Sequence, residues 1–480
     1  MPVVKSVTCP VCGCLCDDLE VTVEGNTITK VKNACAISEA KFLNTGKDRL
    51  RTPLIRKNGE LAPTSWEEAL QKSAEVLANA SYPLLYGWSS TSCEANSSGI
   101  ELAEEVGGVI DNTSTVCHGP SILSVQDVGL ASCTLGQLRH RADLVIYWGC
   151  DPWSAHPRHI ERYTAFSEGR FRASTWRSYL KHTRAQQLRK RVRRTLDFAP
   201  KSALSTQPTA IHPPTTLGIE NARTMMVVDV RKTRTADAAD YFLQVQPNTD
   251  YDIMQALRML IKDEETDLEE VAGIPMETLE EVADLMTNCS FGILFFGVGL
   301  TMSLGKLRNI DAVLHLVRDL NTRTKFLIMP MRGHFNVTGA DVVCTWQTGY
   351  PYAVDFSQGY PQYNPGETSA VDILNRGESD VALVIASDPV SNFPTKAARH
   401  LVNNPLIVID PLETPTSAMA DVVLPSTFVG IETEGNAYRM DHVPIPLKKV
   451  VDPPEGCLSD QQILQEILNR VKHIKETGKQ

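Results

Sequence analysis

Sulfur is concentrated at the start of this chain. Cys9-Pro10-Val11-Cys12-Gly13-Cys14-Leu15-Cys16 is followed after a short spacer by Cys35, so five of the twelve cysteines fall in the first 35 residues. The C-x2-C-x3-C spacing puts Cys9, Cys12 and Cys16 on one tight loop, with Gly13 freeing the backbone to wrap around something small. A cubane iron-sulfur cluster needs four thiolates converging from different directions, and such a loop supplies three of them. Cys35 is the fourth candidate. Cys14 is the spare thiol, and the run leaves open whether it stands in for Cys12 or Cys16. A structural zinc site usually pairs two short C-x-x-C knuckles, and the single one here makes zinc the weaker reading. A disulfide framework is weaker still, because the chain is long and shows no secretory signal.

A second chemical stretch is Asn112-Thr113-Ser114-Thr115-Val116-Cys117-His118-Gly119-Pro120-Ser121. It is small, polar and punctuated by Gly and Pro, and so is expected to be a loop carrying a thiol beside an imidazole. Two other uses stay open: a buried hydrophobic cysteine, and a Cys-His nucleophile, although adjacent loop residues need not face each other. Further on, Gly297 and Gly299 close the apolar run Phe291 to Phe296, and Arg332 follows the strand-like Thr324 to Pro330. Glycines at strand ends let a backbone approach a pyrophosphate or fused ring closely.

Regular elements must hold these groups. Leu19, Val21 and Val23 alternate with polar residues, Glu24-Gly25-Asn26 makes a turn, and Thr27 to Val31 returns, a hairpin that carries Cys35 back to the cysteine loop. Ser38 to Leu43 is expected to be a short helix, and Pro53 to Ile55 with Leu61 to Pro63 a second hairpin. Thr64 or Ser65 caps a helix to about Ala78, and Pro83 to Tyr86 is a buried strand ending at Gly87. A repeat then emerges. Asp143 to Trp148, Gly149, Asp151 and Pro152, followed by Met226 to Asp229, Thr233 and Asp240, are echoed by Asp380 to Ile385, Ser387, Asp388 and Pro389, followed by Leu406 to Asp410, Thr414, Thr416 and Asp421. Each copy is a strand, a crossover, a strand ending in Asp and a Thr-rich turn, the pattern of parallel strands that present their carboxyl ends to a nucleotide. Asp151 and Asp229 are 78 positions apart but Asp388 and Asp410 only 22, which exposes an insertion within about 170–222. Its first part, Arg170 to Lys201, holds eleven Lys and Arg against the single acid Asp197 and reads as a basic amphipathic helix. A solvated excursion is the plain account of it. A docking arm for an acidic partner or RNA is the minority one.

The 480 residues are 42% hydrophobic and 22% charged, an ordinary globular composition with room for a large core. No apolar run is long enough to span a membrane, and no signal pair or early twin arginine precedes Cys9, so a reducing cytoplasm is expected. The formal charge of -10 argues against nucleic acid as the main partner.

The cysteine quartet, the run Thr115 to Pro120, His156-Pro157-Arg158-His159, Arg332-Gly333-His334-Phe335-Asn336-Val337 and Ala420 to Pro425 with Glu434-Gly435-Asn436 together resemble the molybdopterin oxidoreductases. Within them the chain resembles the B subunits of formylmethanofuran dehydrogenases, outside the basic insertion. The resemblance implies an α/β fold: a small β-rich [4Fe-4S] domain at 1–63, a first pterin-binding region at 64–290 and a second at 291–480. The β-barrel cap of wider relatives is missing, so the cover is expected from another subunit and the chain is expected to be unstable alone. It further implies a [4Fe-4S] cluster on Cys9, Cys12, Cys16 and Cys35, and tungsten or molybdenum on Cys117. His118 and Arg332 would lie over the metal. Two molybdopterin guanine dinucleotides would meet Gly149, Asp151, Asp229, Thr233, Ser387, Asp388 and Asp410. The implied reaction is reversible reduction of CO2 to formate for formylmethanofuran formation, with an amidohydrolase-like subunit taking the formate and ferredoxin-like subunits supplying electrons. The alternatives are a formate dehydrogenase-like oxidoreductase, a structural subunit of a formyltransferase/hydrolase complex, and an electron-transfer subunit without pterin.

Overall fold

The computed structural model describes residues 2–167 and 223–478. The basic helix expected within 170–222 lies outside the described residues. The chain forms two compact units, one of Met1–Val116 with Arg332–Gln480 and one of Cys117–Met331.

The first unit is built on a nine-stranded sheet. Its five central strands, Val109–Asn112, Pro83–Gly87, Val381–Ile385, Leu406–Ile409 and Val422–Leu424, lie parallel in that spatial order. All but Val109–Asn112, which ends in Asp111 and Asn112, read as apolar runs because helices cover both faces. Helices Trp66–Ala78, Cys93–Val106, Val337–Thr348 and Asp460–Thr477 bury Leu70, Leu102, Val343 and Ile467 on one side, while Ala370–Arg376 and Thr395–Asn403 bury Ile373 and Leu401 on the other. Ser65 caps the first helix as expected, its side chain accepting from Glu68 N. The hairpin Leu54–Lys57 and Glu60–Pro63 adds antiparallel strands at one edge. Val354–Asp355 and Gln362–Tyr363 do so at the other. A separate three-stranded antiparallel sheet joins Val3–Val7 to the expected hairpin Leu19–Glu24 and Thr27–Lys32, whose turn carries Gly25 at φ +59°.

In the second unit five parallel strands follow the order Tyr241–Gln244, Thr224–Asp229, Leu144–Trp148, Phe291–Phe296, Lys325–Pro330. Helices Asp250–Ile261, Met276–Thr287 and Lys306–Leu320 pack on one face through Leu257, Leu279 and Val313. Under the other face His159 is wholly buried, its Nδ1 3.1 Å from Tyr147 Oη and its ring edge-on to Phe295. That motif histidine is a core residue.

The two sheets share one spatial plan with a different chain order. The chain leaves the first sheet after Val109–Asn112, completes all five strands of the second, and returns through the edge strands Val354–Asp355 and Gln362–Tyr363 to Val381–Ile385 and onward. The expected division at 290/291 therefore does not follow the sheets, since Phe291–Phe296 pairs with Leu144–Trp148 and Pro83–Gly87 pairs with Val381–Ile385. Strand-to-Asp units identify the copies but carry no sign of which flanking strands join them. The expected loop at 112–121 is also partly helical. Ser114–Cys117 is a short turn of helix, and Gly119–Val128 begins a helix with Pro120 in its first turn, where its missing N–H has no partner to lose.

Candidate cofactor-binding and active site

In the first unit the cysteine loop is held from both ends and from below. Cys9 N donates to Cys16 O at 2.9 Å and Leu15 N to Cys12 O at 3.0 Å, with Leu15 at φ +39°. Leu15 is fully buried in a small core with Phe335, Ala437, Ile445 and Leu447. Gly13 N donates to Gly333 O at 3.2 Å, Met440 N to Gly13 O at 2.9 Å, and Cys12 forms an antiparallel bridge with His334. A Cβ on Gly13 would lie 2.5 Å from the Arg332 carbonyl oxygen, so the glycine answers a close backbone approach by a segment distant in sequence. Cys35 caps the helix Ala36–Leu43, and Ser38 ties two thiols together. Cys9 Sγ donates to Ser38 Oγ at 3.1 Å while Ser38 N donates to Cys35 Sγ at 3.5 Å.

The electrostatics of these thiols fit a metal cluster. Burial pushes Cys9 up to about 12 and Cys14 well above the ordinary thiol range, while a hydrogen bond from Cys14 lowers Cys12. Bare thiolates are poorly tolerated in such a pocket, whereas iron would take the protons' place and neutralise the sulfurs. Cys14 is 1% exposed and serves as the donor beside Cys12. Among the described residues no three His, Cys, Asp or Glu side chains gather about one point as around a single ion; a cubane is several atoms wide and takes its thiolates at its corners.

Arg332, in the same unit, is 6% exposed and pairs with Asp341. Asp410 is also buried, and burial pushes its carboxyl up to about 7. Lys41, which the sequence reading passed over, neighbours both Cys9 and Asp410. Burial lowers its amine while those two groups oppose the lowering. Its signal was available: a lysine six residues after Cys35, on the helix that Cys35 caps.

The second unit holds Cys117 and His118. The Cys117 carbonyl accepts from Thr301 Oγ1 at 2.7 Å, and the 1%-exposed His118 has Nδ1 3.2 Å from Ser121 Oγ and its ring edge-on to Phe296. Gly149, at φ +59°, and Gly299 pack backbone to backbone. Gly299 N donates to Gly149 O at 3.0 Å, and a Cβ on Gly299 would fall 2.7 Å from Gly149 Cα. Gly297 is as tight, with a Cβ meeting Cys150 Cβ at 2.5 Å. These glycines let two strand ends touch each other, a requirement independent of any ligand.

The duplicated carboxylates make the same hydrogen bonds in each unit. Asp388 Oδ1 accepts Thr416 N at 3.0 Å and Thr416 Oγ1 at 2.5 Å, and Asp151 Oδ1 accepts the N and Oγ1 of Thr235. Thr414 and Thr233 cap the short helices that follow. Asp410 and Asp229 each accept a backbone N–H two residues on. Asp421 and Asp240 close the copies by accepting Leu406 N and Met225 N. Asp151 and Asp388 therefore latch the end of one strand to the turn after the next. Ser387 stands beside the latch, after Ala386 at φ +47°, which occupies the place of Gly149. Replacing Asp388 with Ala is expected to cost about 2 kcal/mol. The denaturation midpoint of the purified protein checks this, Asp388→Asn losing less than Asp388→Ala.

The comparisons with known proteins match this architecture. Residues 49–189 match the family model described as molybdopterin oxidoreductase. Acetylene hydratase from Pelobacter acetylenicus superposes with a TM-score of 0.65 at 13% identity, covering 98% of this chain and 69% of that one. A chain of the formyltransferase/hydrolase complex from Methylorubrum extorquens, solved with methylofuran, gives 0.63 at 18% identity over 88% of this chain and 99% of that one. The fold is that of the molybdopterin oxidoreductases. The B subunit of tungsten-containing formylmethanofuran dehydrogenase 2 from Methanocaldococcus jannaschii is 47% identical over 475 residues, 98% of this chain and 99% of that one. This chain belongs to the family of formylmethanofuran dehydrogenase B subunits. Among the described residues no helix is long and apolar enough to cross a membrane.

Proposed function

We propose that this chain is the catalytic subunit of a formylmethanofuran dehydrogenase and reduces CO2 to formate. Cys9, Cys12, Cys16 and Cys35 would hold a [4Fe-4S] cluster, Cys117 would bind tungsten or molybdenum, and the two Asp-latched units would carry two molybdopterin guanine dinucleotides. One observation carries the reading: the cysteine loop is docked by backbone hydrogen bonds on the segment that begins with the buried Arg332. A chain kept only as scaffold has no need to build a loop of four thiols there, with a fifth, Cys35, joined to it through Ser38.

When bound, the metal and its dithiolene sulfurs supply the several oxidation states that a two-electron reaction requires. The protein's own residues do the rest. CO2 takes up two electrons and one proton to become formate, and negative charge grows on its oxygens. Arg332 answers that charge with a fixed, planar set of donors, made rigid by its ion pair with Asp341. His118, its Nδ1 held 3.2 Å from Ser121 Oγ, supplies the imidazole that would give or take the proton. Lys41 neighbours Cys9 and Asp410, so its amine would face the cluster's thiolates, which favour its charge against the cost of burial. Formate would pass to an amidohydrolase-like subunit, and a β-barrel subunit would cover the pterins, within a cytoplasmic complex fed by ferredoxin-like subunits.

Metal analysis of the anaerobically purified complex tests this. About four irons and about one tungsten or molybdenum per chain are expected. Iron without the heavier metal would leave only an electron-transfer subunit, and neither would leave a structural one.

A further inference from the structure

Asp341 sits on the helix Val337–Thr348, 6% exposed, and makes three bonds to groups that lie far apart in sequence. Its Oδ2 pairs with Nη1 of Arg332, and its Oδ1 accepts Ser114 Oγ at 2.8 Å and Asn112 Nδ2 at 3.1 Å. Asn112 Oδ1 in turn accepts Ser114 N at 2.7 Å. Neighbouring Asp111 secures the same stretch, accepting Asn112 N at 2.9 Å and Thr115 Oγ1 at 2.8 Å, while Ala353 N at 3.1 Å and Ala370 N at 2.7 Å anchor it to the unit. Ser114 and Thr115 belong to the short helix that ends at Cys117. One carboxylate thus meets both the guanidinium and the start of the segment that delivers the thiol.

We infer that Asp341 is a positioning residue for the reaction proposed above, aiming the Arg332 guanidinium while fixing the Asn112–Thr115 stretch that leads into Cys117. The inference rests on Arg332 being the group that meets the substrate's oxygens. A guanidinium acts through the direction of its N–H bonds, and engaging Nη1 sets the direction of the whole fork. The carboxylate also offsets the positive charge, so formate is not bound more tightly than the transition state requires. Asparagine at 341 keeps the shape and some hydrogen bonding but removes the charge. The arginine then loses its aim and gains net attraction for an anion.

The test uses the holo-complex, with kinetics expressed per bound heavy metal. Asp341→Asn is expected to lower kcat for formate oxidation about a hundredfold, as misplacement by about 1 Å can do, while KM for formate stays level or falls. Asp341→Glu, which restores the charge, should recover part of the rate, and Ser114→Ala should cost several-fold. Independently of activity, the cluster's EPR signal and iron content should be unchanged, and the thermal midpoints of Asp341→Asn, Arg332→Met and the double variant should be non-additive. Asp341→Asn with kcat within twofold of the unaltered complex overturns the proposal, whatever the midpoints show. Arg332→Lys with unaltered kinetics overturns the underlying reading instead, so the two failures are distinct.

Discussion

Cys117→Ala is expected to abolish formate turnover, by roughly a thousandfold or more, while the iron-sulfur EPR signal and about four irons per chain remain. The separation follows from where the thiols lie. The quartet is carried by the N-terminal loop and the cap of Ala36–Leu43 in the first unit, whereas Cys117 ends a helical turn and hands its carbonyl to Thr301 in the second. Alanine keeps the backbone bond and removes only the sulfur. Turnover retained by this variant would remove Cys117 as the metal's protein ligand; loss of the cluster signal would show that the two centres depend on one another for assembly.

The second large effect is expected at a residue with no functional side chain at all. Gly13→Ala puts a methyl 2.5 Å from the Arg332 carbonyl, where backbone must give way. Such overpacking costs about 1–3 kcal/mol, and here it would be relieved by lifting the cysteine loop off the Gly333 and Met440 bonds that seat it. Iron content and turnover should therefore fall together. Gly25→Ala is the contrast: at φ +59° it is strained by about 1–2 kcal/mol, yet its Cβ meets open space and it lies at a hairpin turn, so the cluster should survive. Full iron and normal rate in Gly13→Ala would show that the loop does not need its seat.

Short-range features of the fold could be read along the chain because their causes are short-range. The alternation Leu19, Val21, Val23, the Ser65 cap and the apolar strands ending at Gly149 and Phe296 each express a local period or a local hydrogen bond. The repeat could be read too, down to the matching Asp and Thr positions. What those carboxylates do could not. Asp151 and Asp388 look like nucleotide ligands at strand ends, and their partners Thr235 and Thr416 become visible only when parallel strands place them side by side. Gly13 was expected to free the loop to wrap around something small and Gly299 to admit a pyrophosphate or fused ring, but the groups that press on them, Arg332 O and Gly149, lie 319 and 150 residues away. Asp341 went unnoticed for the same reason: an acid inside a helix gives no hint that an arginine nine residues back and an asparagine from another strand converge on it.

Because the two segments of the first unit flank the second in sequence, its manufacture on the ribosome is constrained. Gly333 and Met440, which seat the cysteine loop, are made 320 and 427 residues after Gly13. At about 5–20 residues per second the nascent thiols wait roughly 20–90 s before their shelter exists. The inserted unit, complete by Met331, can fold during that delay. Iron and sulfide for the proposed cluster would therefore be delivered only after Met440 has been made, and an oxidant present earlier would reach the five sulfurs before the metal does.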